Sequence, residues 1–195
     1  MELLLIRHGL PLRIENGDGT AADPPLSEIG HQQAQAVAQW LGPEAIDSVY
    51  VSPLIRARET AAPLERLLSI EAIVEDDIAE YDAEEPSYIP IEELKRDDPE
   101  AYREFIASGG AIGDPVAFQA TVLAAIEKIV ARHRGENVAV VCHGMVINGI
   151  LADAVGLEPG NLMVAEPTYT GVTRIAASTK GHRTLRSFNE TAHLR

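Results

Sequence analysis

The sequence predicts a three-layer α/β/α sandwich with a mainly parallel central sheet, and three observations predict it. Short, predominantly apolar runs recur at Leu3–Ile6, Ser48–Val51, Ala72–Val74 and Val138–Val141. Longer segments with apolar residues on one helical face separate them. The runs show little in-out alternation, which suits strands covered on both faces, as in parallel sheets flanked by helices.

Leu3–Ile6 supplies the first strand. Ser27 then suits a helix N-cap, and Ala34, Val37, Ala38 and Leu41 keep the i, i+3, i+4, i+7 spacing of one buried face, which fits a crossover helix. After Ser48–Val51, Pro53 suits a first helical position, with Ala57, Thr60, Ala61, Leu64, Leu67 and Leu68 on the inner face of a second helix. A third helix reads from Val116 to His133, with Val122, Ala125, Ile126, Ile129 and Val130 inward and Gly135 closing the turn beyond it. Val172–Ala176 and Thr184–Phe188 flank the polar turn Ser178–Gly181 and read as a late strand pair.

The stretch 81–113 breaks this rhythm. It is acidic, contains proline, carries Tyr88, Tyr102 and Phe105, and predicts short helices within Ile91–Ile106. It reads as a cap over the active-site crevice of a single domain covering residues 1–195.

Charge narrows the partners. With 16 basic against 30 acidic residues the net charge is -14, a field that repels nucleic-acid backbones and anionic membrane surfaces. A small anion must be caught by clustered arginines acting at short range. No basic leader or long apolar span is apparent, so a cytoplasmic location is expected, and the lone Cys142 agrees with a reducing compartment. The sequon at Asn189–Thr191 is then idle. Asp18–Asp23 has the polar character of a calcium loop but lacks the flanking helices and terminal glutamate, so it is read as a loop.

The polar residues gain meaning from the strands. Arg7 and His8 follow the first, Ser52 and Arg56 the second, Glu80 the third and His143 the fourth, so all lie past strand C-terminal ends, where open α/β sheets bind ligands. Taken singly, each has a plain alternative: a polar strand end for Arg7, His8 and His143, a solvated helix face for Arg56 beside Glu59, a solvated acidic run for Glu80. Taken together they form one crevice. Two histidines and two arginines without thiolates suit a phosphoryl group better than a metal ion. Gly9 is expected to let backbone approach that ligand closely.

RHG at Arg7–Gly9, PLSEIGHQQA at Pro25–Ala34, SPLIRARETA at Ser52–Ala61 and VVCHG at Val140–Gly144, in that order, resemble the histidine phosphatase superfamily, also called phosphoglycerate mutase-like. The resemblance implies that fold and a phosphomonoester hydrolase that needs no metal and no cofactor. It implies that His8 attacks phosphorus, that Arg7, Arg56, His143 and Gly144 hold the phosphoryl oxygens, and that Glu80 donates the proton. The chain departs from the family where RHGLPLRIEN places Leu10 and Ile14 at positions that often carry polar phosphate contacts, leaving Asn16 as the candidate substitute. It departs again where DDIAEYDAEE offers Asp82, Glu84 and Glu85 as rivals to Glu80.

Ser52 and Tyr81 are candidate substrate contacts, although Ser52 is read first as a support for its loop. Tyr81, Tyr88, Tyr102 and Phe105 would line a substrate pocket or form the cap's own core. No chemistry is assigned to His31, His133, His182 or His193, and Cys142 is read as a small apolar residue. The expected partner is a small phosphorylated metabolite, with a homodimer as the candidate assembly. Phosphoglycerate mutase-type transfer is the nearest alternative, and a non-catalytic phospho-ligand-binding module is the alternative from another class. A phosphoprotein phosphatase would need a more open crevice.

Overall fold

A computed structural model of the chain describes residues 1–108 and 113–195. In chain order its elements are β1 Glu2–Arg7, β2 Ile14–Glu15, α1 Glu28–Leu41, β3 Ser48–Val51, α2 Ile55–Leu68, β4 Ile73–Val74, β5 Ser87–Tyr88, α3 Ile91–Asp97, α4 Pro99–Ala107, α5 Pro115–Arg132, β6 Asn137–Cys142, α6 Gly144–Ala154, β7 Val172–Ala177 and β8 Arg183–Glu190.

The central sheet has six strands in the order β4-β3-β6-β1-β7-β8. β4, β3, β6 and β1 run parallel, while β7 and β8 add an antiparallel margin. β1 is therefore interior, and its alternate side chains serve two cores. Leu3 and Leu5 pack with Val122, Ile126 and Ile129 of α5 and Val146, Ile147 and Ile150 of α6. Leu4 and Ile6 pack with Val37, Ala38 and Leu41 of α1 and Ala57, Ala61 and Leu64 of α2. Burial on both faces is why the strand reads as an unbroken apolar run, each side chain contributing about 1.5 to 3 kcal/mol.

The helices form where their apolar spacing demands. Ser27 caps α1 by accepting from Gly30 N, and Asp114 caps α5 by accepting from Val116 N and Ala117 N. Beyond α5, Gly135 has φ +82, the left-handed conformation expected of a helix-ending glycine.

Several expectations are corrected. α2 begins at Ile55, with Leu54 rather than Pro53 preceding it, because Asp23 carboxylate oxygens accept from Ile55 N at 3.0 and 3.1 Å and satisfy the helix start from outside. Leu67 lies on the exposed side of that helix's last turn, 52% exposed. The run at Ala72–Val74 is reduced to a two-residue edge strand, Ile73–Val74, with both side chains exposed. The segment 81–113 contains α3 and α4 as expected, but its residues 109–112 lie outside those described. No described helix is long and apolar enough to cross a membrane.

Candidate active site

Strand register assembles the site. β1 pairs with β6 so that Arg7 lies opposite Cys142, which sets His8 and His143 side by side at the next step. Their rings are 5.1 Å apart between centroids. β3 pairs with β6 so that Val51 lies opposite Val141, and Ser52, one residue further, places its Oγ 2.7 Å from His143 Nε2. Ser52 thus orients a histidine rather than lining the cavity.

His8 is 1% exposed, and its Nδ1 is 2.8 Å from the Gly9 carbonyl oxygen. A carbonyl can only accept, so Nδ1 carries the hydrogen and Nε2 keeps its lone pair. Burial first, then the Arg56 and Arg7 guanidiniums, hold the His8 imidazole well below its ordinary pKa. Burial, Arg56, His8 and Arg7 do the same for His143. Both rings are neutral at pH 7.

Arg56, on the first turn of α2, is fully buried. Among the described residues its Nε, Nη1 and Nη2 have no hydrogen-bond partner, since the nearest carboxylates, Asp23 and Asp82, stand 3.7 and 3.6 Å away. The guanidinium lies over the Tyr88 ring at 4.6 Å. Arg7 donates from Nη1 to Pro167 O at 2.6 Å and stacks over Tyr169 at 3.9 Å, while its Nε is unpartnered. His143 Nδ1 is likewise buried and unpartnered. Native structures rarely leave buried donors in this state. An incoming group with several acceptor oxygens would satisfy them together.

Glu80 lies on the cavity wall, partly open to it. Its Oε1 accepts from Tyr81 N at 3.0 Å and its Oε2 from Met145 N, in the first turn of α6, at 3.2 Å. Burial and the neighbouring Asp82 push its carboxyl up to about 7 against the pull of those hydrogen bonds and of Arg56. Asp82 is itself raised, chiefly by burial. Gly144 sits between the two polar groups: a Cβ there would be 3.8 Å from both Arg7 Nε and Glu80 Oε2.

Arg7, Glu80, Asp82, Tyr88 and Gly144 border a cavity of about 210 Å³. Asn16 does not border it. Its amide donates to Thr20 O and Ala21 O and so closes its own loop. Tyr81 does not border it either, because its hydroxyl accepts from Gly113 N and its ring packs on Phe118. Of the aromatic candidates, Tyr88, Tyr102 and Phe105 line the cavity. Cys142 is fully buried, and burial raises its thiol pKa, in keeping with a packing role.

A Cβ at Gly9 would lie 2.7 Å from Gly30 O, so the glycine admits the backbone of α1. Gly9→Ala is expected to cost about 1 to 3 kcal/mol of stability, read as a lower midpoint in urea. An unchanged midpoint would show that α1 yields without strain.

Some supporting groups escape sequence reading. Thr60 Oγ1 accepts from Gly9 N and donates to Arg56 O, tying the two arginine-bearing segments together. Thr170, at φ +57, donates its N–H to Arg7 O at 3.0 Å. A β-branched residue in that conformation is strained, and it is held there by contacts to the segment bearing Arg7 and His8.

The model of the histidine phosphatase superfamily (branch 1) matches residues 3–191. The bifunctional protein Rv2228c of Mycobacterium tuberculosis is 28% identical over 200 residues, covering 98% of this chain and 54% of that protein, so the chain spans about half the length of such relatives. Phosphoserine phosphatase 1 of Hydrogenobacter thermophilus is 30% identical over 167 residues, 81% of this chain and 78% of its own. A solved phosphoserine phosphatase mutant of Entamoeba histolytica, in complex with phosphoserine, superposes with TM-score 0.75 at 26% identity over 100% of this chain and 99% of that one. With its strand-end motifs, its fold and a family match across nearly its whole length, this chain belongs to the histidine phosphatase superfamily, branch 1.

Proposed function

We propose that the protein is a metal-independent phosphomonoester hydrolase that works through a phosphohistidine on His8 and acts on a small-molecule phosphate. The observation that carries this reading is the set of buried guanidinium donors on Arg7 and Arg56, and the Nδ1 of His143, without partners among the described residues, beside an imidazole whose Nε2 lone pair is free. Relatives named as phosphoserine phosphatases support the same class of reaction.

In this reading Nε2 of His8 forms a bond to phosphorus as the ester oxygen leaves. Arg7, Arg56 and His143 stabilise the charge that builds on the three remaining oxygens, each donor contributing about 2.7 to 4 kcal/mol. The Glu80 carboxyl gives its proton to the departing alkoxide. The resulting carboxylate then takes a proton from water, whose oxygen attacks phosphorus and releases orthophosphate and free His8.

The pH dependence follows from Glu80. A carboxyl that titrates at about 7 is protonated below that pH and is lost as an acid above it. The neutral His8 stays nucleophilic well below its ordinary range. Hence kcat/KM, followed by phosphate release with EDTA present, is expected to fall as pH rises through about 7. Glu80→Gln should lower kcat/KM by about 10²- to 10⁴-fold and lose that fall, leaving only the ionisation of the substrate. If the fall persisted in the variant, Asp82 would replace Glu80 as the acid. Recovery of the phosphoryl group on a second hydroxyl instead of in water would make the protein a mutase.

A further inference from the structure

The cavity beyond the phosphoryl site has a chemical character of its own. Its walls include Ile89, Phe105, Ile106, Met145 and Met163, contributed by α4, the start of α6 and two loops. Of its neutral polar side chains, Asn148, Tyr102 and Thr168 are engaged elsewhere. Asn148 donates to Ala165 O and accepts from Ala165 N, and the Tyr102 hydroxyl donates to Glu166 Oε1 at 2.6 Å. Thr168 is bound to Asn189 through both its N–H and its hydroxyl.

Charge points the same way. Arg7 is the only cation among the described lining residues, whereas Glu92 and Glu166 both border the cavity, with Glu92 close enough to Arg7 and Tyr169 to act on both. Residues 109–112 are Gly-Gly-Ala-Ile and add no ionisable side chain. Lys95 stands near the rim, but it faces Glu166 at 3.9 Å and the Tyr102 ring at 5.1 Å. A carboxylate entering this space would lose water, meet two acidic groups and find no cation but Arg7 among the described lining residues.

We propose that the cavity selects phosphomonoesters whose alcohol part is apolar and carries no carboxylate, such as aryl or alkyl phosphates, over phosphates of hydroxy acids. This rests on the phosphatase reading for turnover but not for binding. The test is therefore made on binding, with unreactive phosphonates whose affinity does not depend on leaving-group strength.

Calorimetric titration of the whole chain with 2-phenylethylphosphonate and with 3-phosphonopropionate compares a phenyl and a carboxylate on the same two-carbon spacer. The phenyl compound should bind tighter by about tenfold or more, from burial of its ring. Met163→Lys, which puts a cation on the part-exposed wall, should narrow that ratio several-fold. Equal affinities, tighter binding of the carboxylate or no binding of either would overturn the proposal, as would a ratio unmoved by Met163→Lys. If the phenyl compound bound as expected while no phosphate ester was hydrolysed, the phosphatase reading would fail and the cavity's preference would stand.

Discussion

His8→Ala is expected to lower phosphate release by about four orders of magnitude or more, because removing a nucleophile cancels the whole covalent route rather than one stabilising contact. The loss should appear in kcat, with the folded state retained. His8 is buried and neutral, and alanine in its place leaves a polar void rather than an unpaired charge. Phosphate should still bind the variant through Arg7, Arg56 and His143, so a melting temperature raised by inorganic phosphate separates lost chemistry from lost fold. Full activity in a well-folded variant would remove His8 from the mechanism.

Arg56→Leu should produce the opposite signs in activity and stability. The wild-type guanidinium is fully buried without a hydrogen bond, and its two acidic neighbours lie beyond hydrogen-bond reach. Asp23, with a side chain 33% exposed, is solvated when the arginine is gone, while Asp82, whose Oδ1 is buried and whose pKa burial already raises, can take up a proton. Replacing a desolvated, poorly paired charge with an apolar side chain is neutral or stabilising by about 1 to 4 kcal/mol, reduced by roughly 1 kcal/mol for the lost contact with the Tyr88 ring. Turnover should fall by about 10²- to 10³-fold, as for other donors to developing oxyanion charge.

Arg56 also lowers the pKa of Glu80 and Asp82, so the alkaline fall in kcat/KM should move to higher pH in this variant. Urea midpoints with and without phosphate, together with kinetics across pH, check all three signs. A large loss of stability would show that Arg56 holds the fold and is not reserved for a ligand.

The elements that were legible in the sequence share a physical cause. β1, β3 and β6 are covered on both faces and so read as apolar runs, while α1, α2 and α5 each bury one face and so keep a helical period. α6 was not legible because it is buried nearly all round, from Val146 through Ala152, and has no polar face to set a period. β2 and β5 are two residues each and exist through their pairing of Ile14 with Tyr88, a contact no local pattern announces.

The site divides in the same way. Arg7, His8, Ser52 and His143 could be placed because strand ends converge at one sheet edge, and the three residues between β3 and α2 carry Arg56 to them. Tyr169 and Pro167 could not, because they reach Arg7 across long separations, 160 residues for the Arg7–Pro167 hydrogen bond. Asn16 and Tyr81 looked available only because the loop and aromatic contacts that engage them are tertiary.

The most direct test of the central claim is to quench the enzyme in alkali during turnover of a radiolabelled phosphate ester and map the labelled residue by peptide mass spectrometry. The account predicts an acid-labile, alkali-stable phosphoryl group on the peptide containing His8, absent in His8→Ala and longer-lived in Glu80→Gln. Turnover with no phosphoenzyme, or with the label on any other residue, would contradict it.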